Sequence, residues 1–171
     1  MLATKPYLTQ ADVQKILDAA DKHAAANNWA VTIAVCDDGG HLLGLIRRDG
    51  CAPVSAYIAQ EKARTAAMGK RESRVYEEII NNGRISFLSA PHISGMLEGG
   101  VNIEVNGFTI GAVGVSGVKS TEDAETAKAG IAAILYVTFK NTVPEINSPT
   151  GATESGATPA TITFADFGLD P

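Results

Sequence analysis

Residues 101–117 read VNIEVNGFTIGAVGVSG, and the Asn106-Gly107 pair inside this stretch decides the fold. Asn-Gly is a preferred two-residue hairpin loop, because both positions take positive φ at little cost. Val101–Val105 on one side and Phe108 onward on the other therefore predict two antiparallel strands. The second arm carries Gly at 111, 114 and 117. Glycine weakens a strand, so it marks close approach of another backbone or of a ligand. Ser120 or Thr121 then caps a helix predicted to reach about Phe139, with Ala124, Ala127, Ile131, Leu135 and Thr138 on its apolar face.

Upstream, the same logic yields a second hairpin. Trp29–Cys36 is short and rich in β-branched residues, Asp37-Asp38-Gly39-Gly40 is a turn, and His41–Arg48 is a second strand. Before it, Thr9-Gln10-Ala11-Asp12 forms a variant capping box for a helix whose apolar face is Val13, Ile16, Leu17, Ala20 and Ala24. Between the hairpins, Val54–Met68 is Ala-rich and helical, with Gly69 as its expected C-cap. A short helix follows from Ser73, its expected N-cap, to Asn82-Gly83, with Val75, Ile79 and Ile80 apolar. Residues 84–100 are irregular, and a long loop inside a compact domain is often functional. The order α-β-β-α-α-β-β-α has hairpins where crossovers would be needed for parallel strands. It predicts an antiparallel sheet with helices packed on it, an α+β fold in three layers.

Composition narrows the function classes. The chain has 171 residues and a net charge of −5. An acidic chain without a basic stripe is a poor nucleic-acid binder. No apolar stretch is long enough to span a bilayer, and residues 1–6 carry no leader, so a cytoplasmic protein is expected. The core must be assembled from small residues, since the chain holds 26 Ala and 17 Gly while aromatics are only 6%. Cys36 and Cys51 are expected to be free thiols, Cys36 buried in the core and Cys51 accessible in its loop.

Several segments together resemble the GlcG/HbpS family, whose domain is also fused to some corrinoid adenosyltransferases. They are Ile33–Leu42 (IAVCDDGGHL), Arg48-Asp49-Gly50, Lys62-Ala63-Arg64, Gly99–Ile103 (GGVNI) and Gly111–Gly117 (GAVGVSG) followed by Asp123. The likeness covers about residues 8–140, and Asn102 stands where the family usually has Pro. The resemblance implies a profilin-like three-layer α/β/α sandwich, a dimer or octamer, and a link to haem binding, haem degradation or small-molecule metabolism. Residues 1–141 form the family-like domain, and 142–171 are a C-terminal extension, either a tail or a docked arm.

The candidate ligand site is the Gly-Val-Ser-Gly turn. Gly114, Val115, Ser116 and Gly117 could turn backbone N–H groups toward a small anion, and the following helix start adds a positive dipole end. Lys62 is a basic candidate, and Asp123 complements the helix dipole or orients a partner. His92 sits in the glycine-rich loop and is the candidate haem-iron ligand or proton shuttle. His23 and His41 read as surface or packing residues. Arg48 either pairs with Asp49 to hold the loop or grips a substrate carboxylate. Tyr57 and Tyr76 read as half-buried. Three functions stay open: a haem-binding homo-oligomer, a catabolic isomerase or lyase that uses His92 and Arg48, or a non-catalytic assembly module.

Overall fold

The computed structural model describes residues 2–140, so the expected extension from 142 onward lies outside it. Helix α1 (Gln10–Ala26) opens the domain. Thr9 Oγ1 accepts from Asp12 N at 3.2 Å and Asp12 Oδ2 accepts from Thr9 N at 3.0 Å, so the capping box forms as read. The hydrogen bonds from Thr9 hold the Asp12 carboxyl below its ordinary pKa. The five residues expected on the inner face of α1 are the five that are buried.

Strands β1 (Thr32–Asp37) and β2 (Leu42–Arg47) form the first hairpin. Strands β3 (Gly100–Val105) and β4 (Phe108–Ser116) form the second, closed by Asn106 at φ 52° and Gly107 at φ 79°. The hairpins join through β1 and β4, giving an antiparallel sheet of order β2-β1-β4-β3. Helix α2 (Ser55–Gly69) lies on one face over β1, β4 and β3. Helices α1 and α4 (Ser120–Lys140) pack against each other on the opposite face. The expected α/β/α layering follows.

The two faces are filled differently. Ile16, Leu17, Ile33, Val35, Ile103, Val113 and Val115 build an aliphatic layer under α1 and α4. Under α2 the layer is only Cys36, Ala63, Ala66, Ala67 and Ala112. Burial there pushes the Cys36 thiol up to about 12, so it is an inert core residue.

The region between the hairpins departs from expectation in several places. Gly69 lies inside α2, and Lys70 takes the left-handed C-cap conformation at φ 53°. Gly69 is small because the Tyr76 ring covers it: a Cβ there would come within 2.8 Å of Cε2. Ser73 is the first residue of α3 (Ser73–Asn81), not its cap. Its hydroxyl donates to Leu97 O at 2.5 Å and accepts from Gly100 N at 2.8 Å, tying α3 to the loop before β3. Tyr76 is fully packed while Tyr57 is 75% exposed, so neither is half-buried. Cys51 is buried rather than accessible. No helix among the described residues is long and apolar enough to cross a membrane.

Candidate functional site

Lys62 projects from α2 toward the junction of β4 and α4. Its Nζ donates to Val115 O at 3.0 Å and to Asp123 Oδ2 at 2.9 Å. The two side chains are 5% and 3% exposed, so this is a buried ion pair. Asp123 Oδ1 also accepts from Val118 N at 3.2 Å. Burial raises the Asp123 carboxyl above its ordinary pKa, and Lys62 opposes that rise. Gly99 seals the junction: a Cβ there would lie 2.8 Å from both Lys62 Nζ and Val115 O. The sequence brings Lys62 and Asp123 into view as separate candidates; the fold makes them one unit.

That unit takes up part of the expected anion cradle. Val115 N already donates to Gly99 O at 2.9 Å, and its carbonyl is held by Lys62. Just ahead of α4, Val118 N donates to Asp123 Oδ1 and Lys119 N to Glu122 Oε2, each at 3.2 Å. Two of the chain's own carboxylates thus hold the N–H groups just ahead of α4. The glycines are accounted for by packing. A Cβ on Gly114 would press on Ala59 O and sit 2.5 Å from Ala63 N of α2. One on Gly117 would sit 2.8 Å from Val31 Cα.

Beside Gly117 lies a group of buried polar side chains that sequence reasoning missed. Ser55 Oγ is 2.6 Å from Thr32 Oγ1 and 2.9 Å from Cys51 Sγ, and Cys51 Sγ donates to Ser116 O at 3.7 Å. The Cys51–Ser55 spacing of four was its only sequence signal. The group satisfies its own hydrogen bonds and ties the start of α2 to the end of β4.

His92 lies elsewhere. It is exposed, in the left-handed region at φ 63°, and makes no hydrogen bond or ion pair among the described residues. Its loop docks on the flank of α2, where Ser94 Oγ donates to Glu61 Oε2 at 2.7 Å and a Cβ on Gly95 would press on the Glu61 carbonyl oxygen. Tyr57, Ile58, Glu61, Ser94, Gly95 and Leu97 line an open, mostly apolar groove of about 160 Å³ there. No residue of 111–117 lines it, so the glycine strand and the His92 loop do not share this groove as expected.

Arg48 is committed on the other side of the sheet. Its Nη1 donates to Asp21 O at 3.0 Å and to Asp21 Oδ1 at 2.5 Å, on α1. Its partner is thus Asp21 and not Asp49, because the end of β2 passes beneath α1. An enzyme using Arg48 and His92 on one substrate gains no support from this placement. His23 pairs with Glu125 Oε1 at 3.0 Å and meets the Trp29 ring edge-on, and His41 Nδ1 lies 3.2 Å from Asp37 Oδ1. Among the described residues no cluster of three metal-ligating side chains occurs.

Comparison with known proteins places these features in context. Residues 8–132 match the family described as haem degrading protein HbpS-like. The chain is 56% identical over 115 residues to the protein GlcG of Escherichia coli K12, covering 67% of this chain and 85% of that protein. The crystal structure of HbpS superposes with a TM-score of 0.70 at 27% identity, over 78% of this chain and 94% of that one. The crystal structure of a complex of PduOC with haem superposes at 0.68 and 25% identity, over 75% and 95% of the two chains.

Proposed function

The chain belongs to the HbpS-like family of haem degrading proteins, and on that premise we propose that it is a small-ligand-binding protein whose ligand is haem. The family match carries the reading, and the haem complex of PduOC, on the same fold, supports it. The residues present fit part of the group. An imidazole free of internal partners, His92, stands two residues before Ser94 on the rim of the apolar groove. Exposed Tyr57 and Leu97 offer it a flat apolar surface. When bound, haem would supply a redox-active iron. In this proposal His92 would ligate the iron, and Tyr57, Ile58 and Leu97 would keep water from one face of the ring.

The groove is small for such a ligand. Enclosing pockets run to about 300–1,000 Å³, against about 160 Å³ here. One copy would therefore cover only part of the ring, and we propose in addition a cytoplasmic homo-oligomer, a dimer or octamer, in which a second copy completes the cover.

Haem titration followed at the Soret band tests the reading. The unaltered protein should bind with a shifted band, and His92→Ala should weaken binding about tenfold or more and change the band. A protein that leaves the Soret spectrum of free haem unchanged would overturn the proposal. Binding that is unaltered in His92→Ala would remove His92 while leaving the ligand.

A further inference from the structure

Helix α3 and the 3-10 helix Ile85–Ser89 that follows it leave an apolar surface open. Val75, Ile79 and Ile80 are only half-buried, and no residue of 85–89 is buried. Ile85 and Leu88 are 64% and 65% exposed. A contiguous apolar patch with a polar rim marks an interaction surface. The unmatched charges on this rim are positive. Arg71 stacks over the Tyr76 ring at 5.5 Å and Arg84 over the Phe87 ring at 4.8 Å, and the two rings lie 5.5 Å apart. Neither guanidinium has a carboxylate partner among the described residues. The nearby carboxylates are already used: Glu72 by Lys128, Glu77 by Glu98 N and Glu78 by Arg74.

The chain itself supplies a segment of matching chemistry. Residues 142–171 hold Glu145, Glu154, Asp166 and Asp170 and no Lys or Arg. Within them, residues 161–170 (TITFADFGLD) set Ile162, Phe164, Phe167 and Leu169 among two of those carboxylates. Lys128 Nζ lies 3.1 Å from Glu72 Oε1, so α4 passes the start of α3. At 1.5 Å per residue α4 ends, at Lys140, about 18 Å beyond that contact. The twenty residues 141–160 can span up to about 66 Å, so residues 161–170 reach this surface on their own chain. Other exposed apolar sites match the segment less well. The groove beside Tyr57 has Glu61 as its one charged lining residue, and Leu42 and Leu43 follow a turn that carries Asp37 and Asp38.

We propose that residues 161–170 dock on the α3 and 85–89 surface of their own chain. Their apolar side chains cover Ile85 and Leu88, and Asp166 and Asp170 meet Arg84 and Arg71. Apolar burial holds the segment, and the charge pairs set its place.

Disulfide trapping in the full chain tests it, since both native cysteines are buried. Ala165→Cys is combined with Ser86→Cys on this surface and, separately, with Tyr57→Cys at the groove. Circular dichroism verifies folding, and Ser89→Cys takes the place of Ser86→Cys if that variant does not fold. Under mild oxidation the pair at 86 should close faster than the pair at 57, and on a denaturing gel the product should have the mass of one chain. Phe164→Ser with Phe167→Ser should slow closure about tenfold or more. Arg84→Glu should slow it about two- to fivefold, and Asp166→Arg added to Arg84→Glu should restore it. A pair at 86 that closes no faster than the pair at 57 would overturn the docking. A product of two-chain mass would overturn it too, because the segment then sits on a second copy. So would closure that neither the Phe nor the charge changes affect.

Discussion

The two sides of the sheet solve one packing problem in opposite ways. Under α1 and α4, branched side chains such as Ile16, Ile33 and Val113 fill the gap between helix and sheet. Under α2 there is almost no gap, because Gly114 and Gly100 let the helix backbone come down onto the strands over Ala59, Ala63 and Lys62. The first layer gains from apolar area removed from water; the second gains from close contact and from one buried ion pair at its rim. The thick layer should therefore yield gradually to substitution, while the thin layer has backbone for neighbours and cannot yield.

The largest effect should come from the rim of the thin layer. Lys62→Met leaves the Asp123 carboxylate buried without its cation, which costs about 3–5 kcal/mol. The pH dependence identifies the cause. Burial already raises the folded pKa of Asp123 above its unfolded value, and losing Lys62 raises it further. Such a group adds stability below the unfolded pKa and loses it as pH rises through the folded one. The deficit of the variant should shrink on acidification through the carboxylate range and grow toward neutral pH, as read by urea melts at several pH values. A deficit independent of pH would mean that lost packing, not lost charge pairing, explains it.

Gly114→Val comes next. Its Cβ must displace the Ala59–Ala63 backbone, so overpacking should cost about 1–3 kcal/mol or more. A denaturant midpoint equal to that of the unaltered chain would show that α2 can lift and that the thin layer is not rigid. In the thick layer, Ile33→Val should cost only about 0.5–1.5 kcal/mol. A loss as large as that of Gly114→Val would erase the contrast between the layers.

At the entrance to the thick layer, Thr9→Ala removes the cap of α1, at about 1 kcal/mol. The folded pKa of Asp12 is lowered mainly by Thr9. Its contribution is present above the unfolded pKa and fades as pH falls through the folded one. The difference between Thr9→Ala and the unaltered protein should therefore narrow in acid, as the larger deficit of Lys62→Met does. A deficit that widens in acid in either variant would contradict the pKa direction of that variant's carboxylate.

Much of this fold is legible from local signals. The Thr9–Asp12 box, the spacing of Val13, Ile16, Leu17, Ala20 and Ala24, and the Asn106-Gly107 turn each act within a few residues, and all three form as read. The site was less legible. Gly111, Gly114 and Gly117 announced a close approach but not of what, since a ligand and a helix backbone make the same demand on a strand. His92 was singled out for its loop, and its freedom from internal partners agrees with that reading without assigning it a role.

By itself the sequence determined the elements, the antiparallel hairpins and the small-residue character of the core, because turns, caps and periodicity are interactions between near neighbours. Only the tertiary structure decided which candidates belong together. Lys62 meets Asp123 across 61 positions, Arg48 reaches Asp21 across 27, and β2 becomes an edge strand because the hairpins join through β1 and β4. Those outcomes depend on how helices sit over the sheet. Pairing two distant charges is a property of that docking geometry, and no spacing along the chain encodes it.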